Sequence, residues 1–341
     1  MNVCAGGLVA GQLLAGLLRG LLPGRLGGLL PGLVPGLLAG LLATGQAQGA
    51  SIGQRFCDLQ QPLSVVQQDR LLRFAAIAQK SLDASGAELA LVARSGLNLQ
   101  RFGVRYSHAG VSQRAGELGP WSVRQMYYGC DAGRSQLFDQ GLAGFVAGAD
   151  DPEEFYLSAV WWPARSALAP AQSLLQLLQD KPRALSLVAA QYSANAYAYS
   201  VRYQNCNQWL LELLALAWGD LPAAVDTSAL RQQAQAWLQS QAYLPIGVDL
   251  GSHLWMALAP LVPWVHLDDH PEQDRFALRL YTSLPTDIQN FVRQREPQAQ
   301  RFELCQARGQ VVLRQGWQPI APGCVAEAGD QVLRLDAAGD T

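Results

Sequence analysis

Charge is scarce in this chain. Only 15% of its 341 residues are Asp, Glu, Lys or Arg, and the formal net charge is −2. It contains no basic tract and no basic stripe interleaved with aromatics, which argues against nucleic acid as a partner. P-loop and Rossmann fingerprints are both missing, so nucleotide chemistry carries little weight. No internal repeat follows residue 50. What is abundant is apolar surface: half the residues are hydrophobic, enough to bury a substantial core in one large domain or two smaller ones.

Residues 1–50 are a different material. They are Gly-, Leu- and Pro-rich, with Arg19 and Arg25 as the only charges. An apolar stretch from Leu26 to Ala43 precedes the small-residue segment from Thr44 to Ala50, the arrangement of an export signal or, uncleaved, of a membrane anchor. The expected location is therefore periplasmic or secreted, with membrane association through this segment. Without Cys4 the cysteines number five: Cys57, Cys130, Cys206, Cys305 and Cys324. In an oxidising compartment two disulfides and one thiol are the natural count. Pairing Cys305 with Cys324 and Cys57 with Cys130 leaves Cys206 as the thiol, although sequence alone does not fix connectivity.

The periodicity predicts a helix over Val65–Ala84 and strands at Glu88–Ala93, Phe102–Val111, Trp121–Tyr128 and Phe155–Trp162, with a short helix at Leu137–Val146. Helical turns follow at Pro170–Leu178 and Pro182–Ala190. Asn205 is a good N-cap for an apolar helix from Cys206 to Trp218. Further helices are expected at Thr227–Ala242 (capped by Thr227 or Ser228), Gly251–Leu261 and Pro285–Arg295, with a strand at Phe276–Ser283. Residues 299–341 read as a short β appendage and tail, after a domain spanning 51–298. Helices and antiparallel strands without a βαβ rhythm argue an α+β fold.

Two motifs carry chemistry. Tyr106-Ser107-His108-Ala109-Gly110-Val111 places a histidine on a strand, sharing a face with Tyr106. Tyr203-Gln204-Asn205-Cys206-Asn207-Gln208-Trp209 places a cysteine at the first turn of a helix. A helix N-terminus lowers a thiol pKa, and its amides can hold an oxyanion. A histidine within reach completes a nucleophile and base. Each residue taken alone is more often a core residue. A second cluster, His266-Leu267-Asp268-Asp269-His270, offers metal ligands through His266, Asp269 and His270 if helical, although Pro263 and Pro271 favour a loop. His253, His266 or His270 could also serve Cys206 in the opposite chain order.

A strand histidine followed by a helix-opening Asn-Cys resembles the circularly permuted papain-like fold of NlpC-type peptidases and lecithin:retinol acyltransferase-like enzymes. Over residues 55 to about 295 the chain also resembles the bacterial domain-of-unknown-function family numbered 2145, through Phe56-Cys57, Tyr203 to Leu211 and Asp268-Asp269-His270-Pro271. The superfamily resemblance implies an antiparallel sheet packed on the Cys206 helix and a third polar residue on the strand after His108. Gln125 is the candidate there, in the role of a triad's third member. Tyr203, Gln204 and Asn205 are candidates for the oxyanion and substrate region. The expected activity is thiol-dependent hydrolysis or acyl transfer on a cell-envelope amide or ester, a peptidoglycan peptide or a lipid or lipoprotein acyl group, without a cofactor. The alternatives are a non-catalytic envelope protein of the same fold and a metal-binding protein.

Overall fold

A computed structural model of the chain describes residues 63–335, apart from 97–98, 130–131, 164–169, 223 and 225. The leader-like segment and the expected Cys57–Cys130 pair lie outside the described residues. The first helix, α1 (Val65–Ala84), opens with a reciprocal cap: the Ser64 hydroxyl accepts from the Gln67 amide, and the Gln67 side chain accepts from the Ser64 amide at 2.9 Å. Strands β1 (Leu89–Arg94), β2 (His108–Gln113), β3 (Ser122–Gly129) and β4 (Arg134–Gln140) follow as an antiparallel meander. A one-turn helix α2 (Leu142–Val146) leads to β5 (Glu154–Trp161), which returns to pair with the other edge of β1.

Four helices then form a layer: α3 (Pro170–Gln179), α4 (Lys181–Leu185), α5 (Cys206–Trp218) and α6 (Thr227–Ser240). A two-stranded ribbon, β6 (Gly247–Asp249) with β7 (Arg279–Tyr281), brackets α7 (His253–Leu258) and α8 (Glu272–Phe276). Helix α9 (Pro285–Arg295) precedes β8 (Gln300–Ala307), β9 (Gln310–Gln315) and β10 (Gln331–Arg334). The main sheet has eight strands in the order β10-β9-β8-β5-β1-β2-β3-β4, with every neighbouring pair antiparallel. Helices together with this sheet make the fold α+β.

Alternation along the strands separates two cores. On one face Ala90 and Val92 of β1 and Val123 of β3 pack with Phe74 of α1 and Phe145 of α2. On the other, Leu89, Leu91, Ala109, Val111 and Met126 pack with α3, α5, α6 and α9. A third, smaller apolar cluster joins Leu99 and Val104 to Val248, Leu250, Leu280 and Leu284 of the ribbon region.

The structure corrects several sequence expectations. The C-terminal strands are no appendage: β8 pairs with β5 along its whole length, Glu154 opposite Ala307 through Trp161 opposite Gln300, and lies inside the sheet. The Cys305–Cys324 disulfide, as expected, fastens β8 to the loop beyond β9, with Cα atoms 5.6 Å apart. The helix expected at Leu137–Val146 is a strand and a one-turn helix broken at Gly141, because Leu137 and Phe138 sit opposite Met126 and Gln125 of β3. Helix α6 is capped by Asp226, whose carboxylate accepts from the Ala229 amide at 2.8 Å, one residue before the expected cap. The strand expected over Phe276–Ser283 shrinks to β7, since α8 takes Phe276.

Candidate functional site

The start of α5 is held from several directions. Asn205 is its N-cap, accepting from the Gln208 amide at 2.7 Å, while its side-chain amide donates to Thr282 Oγ1 at 2.9 Å. Gln204 is fully buried: it donates to Leu187 O and to Glu212 Oε2 and accepts from the Ala189 amide. Glu212, one face further along the helix, also receives Arg231 Nε and Gln235 Nε2, both at 2.8 Å. Arg231 in turn donates to the carbonyls of Ser200, Val201 and Tyr203. These bonds fix the loop that leads into Cys206. They also give Gln204 a structural occupation, so it does not face an open oxyanion position.

Cys206 is the first residue of α5, remains a thiol, and is 1% exposed within the α5-side core. His108 is just as buried but belongs to the other side of the sheet. It sits directly opposite Arg94 in the β1–β2 register, and cross-strand partners share a face. The Arg94 guanidinium lies over Phe145 of α2, and the His108 ring lies 5.6 Å from the same Phe145 and stacks on Tyr127 at 4.8 Å. His108 Nε2 meets Gln125 Oε1 at 2.6 Å, and Gln125 Nε2 donates to Gln140 at 2.7 Å. His108 Nδ1 is buried without a hydrogen-bond partner.

The structure therefore brings His108 and Gln125 together but does not bond His108 to Cys206. Gly110 shows why the first pairing forms. A Cβ there would fall 3.2 Å from Gln125 Cβ and 2.8 Å from the Arg124 carbonyl, so the small residue makes room for Gln125 beside His108. Ala109, pointing the other way, faces the core on the α5 side. Tyr106 does not share the face of His108, as alternation would have it. Strand β2 begins only at His108, and Tyr106 turns into the α5-side core, where its hydroxyl donates to Glu303.

The second cluster is a folded loop. His270 is buried with Nε2 2.7 Å from the Asn195 carbonyl oxygen, and Asp269 accepts from the Tyr197 amide at 2.9 Å. Burial holds the His270 pKa below the ordinary imidazole value and pushes the Asp269 carboxyl up. His266 stacks on Tyr203, centroids 4.4 Å apart and 7° from parallel. Among the described residues, no group of three or more His, Cys, Asp or Glu side chains is arranged to hold a metal ion. The expected grouping of His266, Asp269 and His270 as ligands is accordingly absent, because each has a separate partner in the loop. His253 opens α7 on the ribbon.

Sequence reasoning missed the neighbours of the two singled-out residues. Ser107 and Asn207 line an apolar slot of about 70 Å³ walled by Leu99, Val104, Val248, Leu250, Leu280 and Leu284. Asn207 donates from Nδ2 to the Ser107 carbonyl at 3.2 Å, which ties α5 to the approach of β2. Both residues stand inside the quoted motifs, one position from His108 and Cys206. Polar residues beside the helix-opening cysteine were the available signal.

Residues 81–292 match the model of the family described as "uncharacterized protein conserved in bacteria (DUF2145)", and the chain belongs to that family. The match spans both motifs and every slot residue named above, and ends before β8. No curated protein and no solved structure matches the chain.

Proposed function

We propose that the protein is an exported envelope protein that binds a ligand through this fold without using a thiol nucleophile. The observation that supports this reading is the position of His108. Its Nε2 is committed to Gln125, its ring stacks on Tyr127 and lies near Phe145 of α2, and its strand register puts it opposite Arg94, while Cys206 is buried in the core on the α5 side. A thiol must be reached by its substrate to act as a nucleophile. Cys206 is 1% exposed within the α5-side core. Export is supported by the Cys305–Cys324 disulfide, since such bonds persist in oxidising compartments.

A second reading keeps the chain within the permuted papain-like superfamily as a thiol hydrolase or acyltransferase acting on an envelope amide or ester. It is favoured by one observation: the residue after Cys206, Asn207, faces an apolar slot at the capped start of the helix. The two readings part on a single variant. Cys206→Ala, introduced into the native gene, is expected to match wild type wherever deletion of the gene gives a phenotype. Loss of function in a Cys206→Ala protein that melts at the wild-type temperature would replace the binding reading by the thiol reading.

A further inference from the structure

The segment from Leu254 to Val265 contains no charged, hydroxyl or amide side chain. It forms most of α7, the 3₁₀ turn Ala259–Leu261 and the chain just after it. One stripe of it points into the protein. Trp255, Ala259 and Val262, at helical spacing, line the apolar slot. The other side is just as apolar and is uncovered. Leu254 is 58% exposed and Leu261 67%, and Ala257, Pro260 and Pro263 are exposed as well. A helix that is apolar all round is ordinarily buried all round. An apolar run of about 10–14 residues is either a core helix or an interfacial segment. This one stands at the surface.

Two neighbours bring related chemistry to the same end of the ribbon. The Leu250 amide donates to the Leu278 carbonyl at 2.9 Å, so the chain entering α7 and the chain leaving α8 run side by side. Phe276, the last residue of α8, is 71% exposed. Trp255 is half-buried, and the guanidinium of the exposed Arg101 lies 5.1 Å from its ring centroid. An indole at the edge of an apolar patch, with a long cationic side chain beside it, suits a boundary between hydrocarbon and water.

The chemistry of the patch selects its occupant. An interface with another protein carries about one hydrogen bond per 100–200 Å². Leu254, Ala257, Pro260, Leu261 and Pro263 offer no side-chain donor or acceptor, whereas hydrocarbon asks for none. The apolar stretch from Leu26 to Ala43 supplies the proximity. If it stays in a bilayer, residues 44–62 hold the start of the fold within about 65 Å of that bilayer even when fully extended. Among the described residues no helix is long and apolar enough to cross a membrane, so the contact is with the bilayer surface. Between Leu244 and Tyr281 there are five Asp or Glu against two Arg, so attraction to anionic lipid is not the driving force.

From this we infer that the outer face of residues 254–263 is a membrane-contact surface that inserts its leucines into the interface of a lipid bilayer. This goes beyond the binding reading above and does not depend on it.

The test mixes the full chain with phosphatidylcholine vesicles and follows amide hydrogen exchange by peptide mass. Reading exchange at residues 253–265 separates this surface from the apolar N-terminal stretch, which binds vesicles on its own account. Vesicles are expected to slow exchange there about 10-fold or more, and to leave α1, on the opposite face of the sheet, unchanged. Salt at about 1 M, where the Debye length is about 3 Å, should not alter the protection. Leu254→Ser combined with Leu261→Ser alters only exposed side chains, and circular dichroism should show the fold intact. Insertion of the segment should weaken roughly 100-fold, from roughly 10-fold for each leucine, and the protection should vanish. Unchanged exchange at 253–265 in the presence of vesicles would overturn the proposal. So would equal protection in the double variant, or protection that requires anionic lipid. Protection that grows with protein concentration without vesicles would overturn it too, and would make this face an interface between copies of the chain.

Discussion

At Asp287 burial and backbone hydrogen bonding act in opposite directions. The amides of Leu284 and Ile246 donate to Oδ2 at 3.0 and 3.1 Å, which favours the carboxylate, yet desolvation dominates and the pKa rises from 3.8 to about 7. Between about pH 4 and 7 the folded chain keeps a proton that the unfolded chain has lost. Stability contributed by this group is therefore complete below pH 4, declines as pH rises to 7, and is level above it. The full span is on the order of 4 kcal/mol. Asp287→Asn keeps an acceptor for both amides and removes the proton. Urea unfolding across pH 4 to 8 should show wild type losing stability relative to this variant up to about pH 7; a constant difference would refute the account. The buried His108–Gln125–Gln140 chain makes a second prediction. Gln125→Ala leaves the buried His108 and the half-buried Gln140 unmet and should cost about 1–3 kcal/mol in the same assay. That pairing was legible in the sequence because Gln125 lies on the next strand. The face was not legible, because alternation counted from Tyr106 assumes a strand that starts only at His108.

Among the elements, α5 was legible to the residue: an Asn cap, then a strongly apolar helix, leave one natural start and a stop before Gly219. Its polar member Glu212 was not legible as important. Only the folded chain reveals that Arg231, from the next helix, reaches it with both side chains buried. The pair locks the loop before Cys206, so its loss should be felt at the helix start. Arg231→Met strands the Glu212 carboxylate and should cost about 3–5 kcal/mol, while adding Glu212→Leu should recover part of that loss. A double variant no more stable than the single one, by denaturant unfolding, would show that the pair is not coupled. Strand β4 was misread for a related reason. The segment around Leu137-Phe138 carries no local sign of β structure strong enough to outweigh its apolar spacing, and its strand character comes from pairing with β3.

For the whole molecule, the C-terminal forty or so residues complete the sheet although the family match ends at residue 292. Removing residues 299–341 would strip β8, β9 and β10 and leave β5 as an edge, exposing the core side chains Phe302 and Leu304 cover. Such a chain should be unfolded or aggregated by circular dichroism and size exclusion. A monomeric truncation with wild-type ellipticity per residue would mean that β8 is dispensable. Long-range β pairing of this kind is what single-sequence periodicity cannot see. The general α+β class was readable from element order, whereas the partner of each strand depended on contacts more than a hundred residues apart, as between β5 and β8.

The separation of Cys206 from His108 is the central claim, and thiol reactivity tests it most directly. Folded protein is treated with iodoacetamide at pH 7, and modification at Cys206 is followed by peptide mass. A core thiol should be protected in the native state and react only as the chain unfolds, at the same rate in wild type and in a folded His108→Ala variant. Rapid modification of Cys206 in the folded protein, slowed by His108→Ala, would contradict the account and restore the cysteine–histidine pair.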